Sequence, residues 1–271
     1  MTRTVASFSR LLSRYAAVTP SLVRATRSDV IAWRGLELHI PGSIAIRASV
    51  LAGNVRICAI LDAIARRGAT VVDVGANIGV IAAYAARRVG SGGRVVAVEP
   101  AADNVRVLRD NLRRNRLSGV SIVEGAAGRC RERREFYLRG DLSAVNSLFP
   151  DSCYASVTQV ATVDVTPLDD LVDGHVDIVK IDVEGAELDV LAGMPRLLAH
   201  PGLHLIIEWH PCLQRDAGYD PGALPRTLLD AGFRVDAVGH LRSHPLRGRD
   251  IDRLGVRLFR AKRPVELYAR K

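Results

Sequence analysis

The apolar positions of this chain change period several times, and each change predicts an element. Thr70-Val71-Val72 is a run of β-branched residues leading into Asp73, the make-up of a buried strand. Gly75-Ala76-Asn77-Ile78-Gly79 follows as a tight turn, and IAAYAARRV after it reads as a helix. A second strand, RVVAVE, ends on Glu99, twenty residues past Gly79. Residues 101–116 repeat apolar positions at Val105, Leu108 and Leu112, the spacing of an amphipathic helix. VSIVEGAAG predicts a third strand and GRCRERREFYL a charged hairpin. VDIVKI and LHLIIEW predict two more strands, with a helix between them whose Leu188, Leu191 and Met194 face the core. Downstream, 222–231 predicts a short helix, GFRVDAV a strand, and GVRLFRAK a final strand. Strands alternating with helices indicate an α/β fold with a largely parallel sheet.

Upstream of this series the pattern shortens. IAWRGLELHIPGSIAIRASV predicts two or three strand pieces around Pro41-Gly42, arranged as a hairpin. Arg56 to Arg67 then predicts a helix with Ile57, Ile60, Leu61 and Ile64 on one face. The catalytic domain is placed at 56–271, and 1–55 is expected to be a basic helix and strand cap.

Composition adds less. A chain of 271 residues with 48% apolar and 25% charged residues suits one large domain. The net charge of +9 is unusual, and of 38 basic residues only Lys180, Lys262 and Lys271 are lysines. The arginines are scattered rather than clustered, which favours a solvated surface over a nucleic-acid face. The first 28 residues carry five arginines and no acid. They predict a basic amphipathic helix, with an organellar targeting segment as the alternative. Cys58, Cys130, Cys153 and Cys212 lack the spacing of a zinc site or a disulfide framework, which suits a reducing cytoplasm. No apolar run is long enough to span a membrane.

The turn after the first core strand carries the chemistry. Glycines at 75 and 79 let a ligand approach the main chain, and a carboxylate at the tip of the next strand, Glu99, is placed to hold the hydroxyls of a ribose. Asn77 stands where a pyrophosphate-binding loop has its second glycine. Asp73-x-Gly75-Ala76-Asn77-x-Gly79 resembles motif I of class I methyltransferases, whose cofactor S-adenosylmethionine (SAM) has a ribose but no phosphate. Further on, Asp182 and Glu184 end one predicted strand, and Glu208, Trp209 and His210 end another. Parallel sheets bind ligands outside the carboxyl ends of their strands, so these residues are expected in the same crevice as Asp73 and Glu99. His240 and His244 are expected to be exposed loop residues. Asp141 to Val157 is expected to be an irregular loop, serving as a lid or substrate loop or as a plain surface connection.

TVVDVGANIGV, AVEP, TPLDDL, VDIVKIDVEGAELDVLAG and LIIEWHP, in that order, resemble the FkbM family of SAM-dependent methyltransferases. The likeness covers roughly 71–211, with KIDVEGAE its most specific part. It implies a Rossmann-like class I methyltransferase fold: a seven-stranded, mostly parallel sheet, helices on both faces, and the last strand antiparallel. It further implies methyl transfer to a hydroxyl of a sugar or natural product. Asp73, Gly75, Ala76, Asn77 and Gly79 then fall on the cofactor loop, Glu99 on the ribose and Ala126 beside the adenine. Asp182, Glu184 and Gly185 fall on the acceptor side.

A hydroxyl acceptor needs a base or a cation beside it. Asp182, Glu208 and His210 are the group that the strand ends bring together, and His210 is the natural base at neutral pH. Asp182 with Glu208 could instead offer oxygen ligands to magnesium. Direct base catalysis is preferred because only two carboxylates are well placed, so no metal ligand is assigned. Three other classes stay open. An NAD-dependent oxidoreductase should carry glycine at 77, a nucleic-acid methyltransferase should show a basic face beside the cleft, and a SAM-binding protein without catalysis should turn nothing over.

Overall fold

The protein is described from a computed structural model covering residues 29–140, 145–151, 156–239 and 243–271. The expected basic N-terminal helix, Cys153, His240 and parts of the 141–157 loop lie outside the described residues.

The described chain opens with a hairpin, β1 (Val30–Trp33) and β2 (Leu36–His39), turning at Arg34-Gly35. The turn therefore falls ahead of the expected Pro41-Gly42. A single helix, α1 (Ile44–Ile64), follows. The stretch expected to extend as strand up to position 55 is helical instead. Ser43 supplies the reason at its start: its side chain accepts a hydrogen bond from the Ile46 amide at 3.3 Å, an N-cap. Farther along, Leu51, Ile57, Cys58, Ile60 and Leu61 pack into the core at helical spacing. The helix runs unbroken through the domain boundary expected between 55 and 56.

Then come β3 (Thr70–Val74), α2 (Val80–Val89), β4 (Arg94–Glu99), α3 (Ala102–Arg114), β5 (Val120–Glu124) and the two-residue β6 (Ala126–Ala127). β7 (Glu132–Leu138) does not close a local hairpin as expected. It pairs along its whole length with β8 (Gln159–Thr166), which also pairs with β6, giving a small three-stranded sheet. The rest runs α4 (Leu168–Leu171), β9 (Ile178–Ile181), α5 (Glu187–Ala192), α6 (Pro195–Leu198), β10 (His204–Trp209), α7 (Pro211–Asp216), α8 (Ala223–Asp230), β11 (Arg234–Val238), β12 (Ser243–Pro245), α9 (Gly248–Ala261) and β13 (Val265–Arg270).

The main sheet has eight strands in the order β12-β11-β13-β10-β9-β3-β4-β5, one more than expected, the extra being the three-residue edge strand β12. The run β10-β9-β3-β4-β5 is parallel, and β13 inserts antiparallel between β10 and β11. The antiparallel final strand is thus VELYAR. The expected final strand, GVRLFRAK, lies in α9, because Ile251, Leu254 and Leu258 recur at helical spacing and pack on one face of the sheet.

Alternation along the strands divides the core into two. Val71, Val95, Ala97 and Ile178 face the hairpin and α1–α3, whereas Val72, Val74, Val96, Val179 and Ile181 face the helices after β8. Burial on both faces is why these strands read as continuous apolar runs. All five parallel strands end at one edge of the sheet, and the site lies there.

Candidate active site

A cavity of ≈330 Å³ opens at the carboxyl edge of the sheet, within the ~300–1,000 Å³ range of small-molecule sites. Gly75, Ala76, Asn77 and Glu99 line one part of it, with Ala126 beside them. Lys180, Asp182, Glu184, Glu208 and Glu266 line another, and Ser49, Asn54 and Arg56 of α1 form a wall.

The turn after β3 sets the first part. Gly75 has φ +74°, and a Cβ added there would overlap the Asp182 carbonyl oxygen. Only glycine lets the ends of β3 and β9 approach this closely. Asn77 also adopts the left-handed region, at φ +49°, and its side-chain oxygen accepts from the Ile78 amide at 2.7 Å, a local bond that makes asparagine tolerable there. The Asn77 amide donates to Glu99 Oε2 at 2.8 Å. Glu99 Oε1 accepts from the Ala101 amide and from Asn104 Nδ2, both at 3.0 Å. Burial pushes the Glu99 carboxyl up, and these three donors oppose the rise.

This arrangement tests the cofactor. The amide of Asn77, which a phosphate-binding loop would aim at its ligand, is committed to a carboxylate. A pyrophosphate would meet the negative Glu99, whereas a ribose offers hydroxyl donors to its remaining lone pairs. The residues present therefore fit a ribose without phosphate.

Below the turn, Lys180 lies almost wholly buried in β9. Its ammonium donates to the Gly75 carbonyl at 2.9 Å and lies 3.2 Å from Asp73 Oδ1 and 3.6 Å from Asp182 Oδ2. Burial alone would lower the Lys180 pKa, but Asp73 and Asp182 hold it above its ordinary value. Asp73 is fully buried, and desolvation raises its carboxyl against the pull of Lys180. Asp73 thus reaches the cavity only through Lys180, and it does not itself line the wall. Gly79, also outside the lining, precedes α2 with Leu108 packed beneath it.

The part of the cavity expected to face the acceptor is carboxylate-rich. Oxygens of Asp182, Glu184 and Glu208 all lie within 4.8 Å of one another. Glu266 joins them because β10 and β13 pair in the register Glu208↔Glu266. Burial first, and the neighbouring carboxylates second, push Glu184 and Glu208 well above the usual range. Burial and Asp182 likewise raise Glu266. Glu184 stands at φ +54°, and its carbonyl accepts from Ser147 Oγ at 2.7 Å. This ties the 145–151 segment to the strand end and sets Asn146 and Leu148 in the cavity wall. Buried Arg139 braces that segment, donating to the carbonyls of Val145, Phe149 and Pro150.

Two candidates for the acceptor side also lie outside the lining. Gly185, at φ +107°, lies outside the cavity lining against the Leu213 carbonyl, and its amide donates to Glu187 Oε1 at 3.1 Å. His210 is the N-cap of α7: its Nδ1 accepts from the Leu213 amide at 3.3 Å, and its ring is buried outside the cavity lining. Burial holds the His210 pKa below its ordinary value. Lys180, Glu266 and Arg56 were absent from the sequence candidates. Lys180 is two residues before Asp182 in a strand, hence on the same face. Glu266 becomes visible once VELYAR is taken as the antiparallel strand, whose first residues must lie at the ligand edge.

A model of the methyltransferase FkbM domain matches residues 73–235. The chain belongs to this family. The FkbM family comprises SAM-dependent methyltransferases, in keeping with the ribose-without-phosphate geometry at Glu99, and the fold is that of a class I methyltransferase. Similar solved structures include the methyltransferase FkbM of Methylobacillus flagellatus KT, 19% identical, covering 98% of this chain and 59% of that one, with a TM-score of 0.48. The chain therefore matches less than two thirds of that protein's length. A putative rRNA methylase of Clostridium thermocellum is 13% identical over 80% of this chain and 95% of its own, with a TM-score of 0.46. A SAM-dependent methyltransferase of Aquifex aeolicus is 19% identical over 76% and 83%, with a TM-score of 0.41. No curated protein matches the sequence. Among the described residues, no helix is long and apolar enough to cross a membrane.

Proposed function

We propose that the protein methylates a hydroxyl of a small, polyhydroxylated acceptor such as a sugar or a natural-product scaffold. One observation carries this reading: the ribose-binding turn and a cluster of strand-end carboxylates line the same ≈330 Å³ cavity. Bound SAM supplies a methyl on a sulfonium, which needs no further activation. The protein's own task is to orient the acceptor and take its proton. Glu208, whose carboxyl is pushed well above the usual range by burial and its acidic neighbours, is a stronger base than an ordinary carboxylate and is placed to take the acceptor's proton. Asp182, beside it and 3.6 Å from the Lys180 ammonium, accepts a hydrogen bond from the acceptor and fixes its approach. Lys180 holds the Gly75 carbonyl and Asp182 together, so the two sides of the cavity keep their spacing.

The charge of the wall favours this acceptor over nucleic acid. Among the described residues, the cavity lining sets Glu99, Asp182, Glu184, Glu208 and Glu266 against Arg56 and Lys180, an acid-rich wall that offers a phosphate backbone few cationic partners.

A second reading is favoured by the proximity of the Asp182, Glu184 and Glu208 oxygens. That set offers a hard divalent cation such as magnesium the oxygen ligands it prefers. In this reading Glu208 would be a ligand rather than the base, Asp182 and Glu184 would complete the set, and the ion would supply positive charge that stabilises the acceptor's alkoxide.

Incubating the protein with SAM carrying an isotopically labelled methyl and panels of glycans, polyols and RNA separates these readings. Mass spectrometry is expected to find label on a hydroxyl oxygen of a small molecule, and label on RNA alone would overturn the proposal. Full activity in the presence of a chelator supports Glu208 as base. Loss restored by magnesium supports the second reading.

A further inference from the structure

At the opposite edge of the sheet lies a second cavity of ≈450 Å³, lined by Arg34, Asp62, Ala65, Arg67, Tyr84, Arg87 and Arg88. It stands at the far end of α2 from the cofactor turn, about 15 Å along a ten-residue helix. We propose that this cavity is a binding site for a small phosphate-bearing anion, distinct from the methyl-transfer site.

Four guanidinium groups converge there from three separate segments: Arg34 from the β1–β2 turn, Arg67 from the approach to β3, and Arg87 with Arg88 from the end of α2. Asp62 is the only acid that the described residues place in the lining. It offsets one of the four positive charges and braces the floor. Its Oδ1 accepts from the Tyr84 hydroxyl at 2.7 Å and lies 3.2 Å from Arg88 Nε, and its Oδ2 lies 3.9 Å from Arg34 Nη1. Arg34, packed over the Trp33 and Tyr84 rings at 5.3 and 5.7 Å, is thereby held in place. Arg67 and Arg87 are exposed and form no ion pair among the described residues.

Two glycines make room for these two arginines. Arg87 donates to the Gly35 carbonyl, and its guanidinium occupies the space a Cβ on Gly35 would need. A Cβ on Gly90 would lie 2.8 Å from Arg67 Nη2. The last turn of a helix attracts cations through its dipole, which accounts for Arg87 and Arg88 alone. It does not account for Arg34 and Arg67 meeting them around one concavity. Planar guanidinium groups offer paired donors that match phosphate oxygens. A concave cluster, as opposed to an open basic track, suits a compact oligophosphate.

The test is calorimetric titration of the full chain with inorganic pyrophosphate, against sodium chloride of equal ionic strength. Saturable binding at one site is expected. Each guanidinium lost should weaken it about tenfold, so the double variant R67Q/R87Q should bind roughly a hundredfold more weakly. R253Q/R257Q, which removes the same charge from exposed positions on α9, should bind as the parent does. Absence of saturable binding, parent-like affinity in R67Q/R87Q, or equal weakening in both double variants would each overturn the proposal.

Discussion

The two sides of the cavity solve opposite problems with the same residue type. On the side proposed for the cofactor, Glu99 is buried but accepts three hydrogen bonds from Asn77, Ala101 and Asn104. On the side proposed for the acceptor, Glu184, Glu208 and Glu266 crowd one another and Asp182, and burial raises all three. The first carboxylate is preorganised by donors already in place. The others store unfavourable charge that a proton, a cation or a hydrogen-bonding acceptor relieves. A cofactor common to a large family can be met by backbone geometry, whereas a particular acceptor is met by side chains whose charge has to be answered by the ligand.

The contrast is tested most severely at Asp182. Asp182→Asn keeps the shape and removes the charge that fixes the acceptor's approach, and turnover should fall by about two orders of magnitude with SAM affinity nearly unchanged. An equal loss of SAM binding by calorimetry would mean that the two sides are not separable. Gly75→Ala attacks their junction, since a Cβ there collides with the Asp182 carbonyl. It should destabilise the protein by at least ~2 kcal/mol and weaken SAM as well, read by denaturant melts and calorimetry. Glu99→Ala confines the damage to the cofactor side. Losing a charged acceptor should cost ~1.5–3 kcal/mol of SAM binding, with the pH dependence of turnover unaltered.

The stored charge has its own signature in Glu187, directly behind the acceptor side. Its Oε1 accepts from the Gly185 and Val183 amides, while Oε2 is buried without a hydrogen bond. Burial pushes it up to about 7. A carboxyl with a raised folded pKa contributes stability that is full below its unfolded value of ~4.3 and is lost as pH rises through the folded value. The parent should therefore lose on the order of 1–3 kcal/mol between about pH 4 and pH 7 that Glu187→Gln retains. Parallel melting curves for the two across that window would contradict the assignment. The smallest effect is expected at His210: as a helix cap, His210→Ala should cost ~1 kcal/mol of stability and leave the rate within a few-fold. A loss of several orders of magnitude in turnover would return the base to His210.

Much of the fold was legible because the parallel core is built from local rules. Val71, Val72, Val95 and Val96 mark strands buried on both faces, and Gly75 marks the turn between strand and helix. Legibility ended where a local pattern had two readings. IAIRASV alternates as a strand would, yet Ser43 caps it as a helix, and Val50, Leu51 and Ile57 then pack toward the core. GVRLFRAK looked extended, yet Ile251 before it and Leu258 within it belong to one helical stripe. On the site, Asp182 and Glu208 were visible as strand-end acids. His210 was visible too, but which way its ring turned depended on the free amide of Leu213.

The sequence by itself determined the strand–turn–helix unit at 70–89, the carboxylate at Glu99 and the family, because these rest on residues adjacent in the chain and on backbone angles few residue types allow. The tertiary structure decided which charges meet. Lys180 between Asp73 and Asp182, and Glu266 opposite Glu208, are pairings across strands far apart in sequence. Their register follows from packing both faces of the sheet, and no short stretch of chain encodes it.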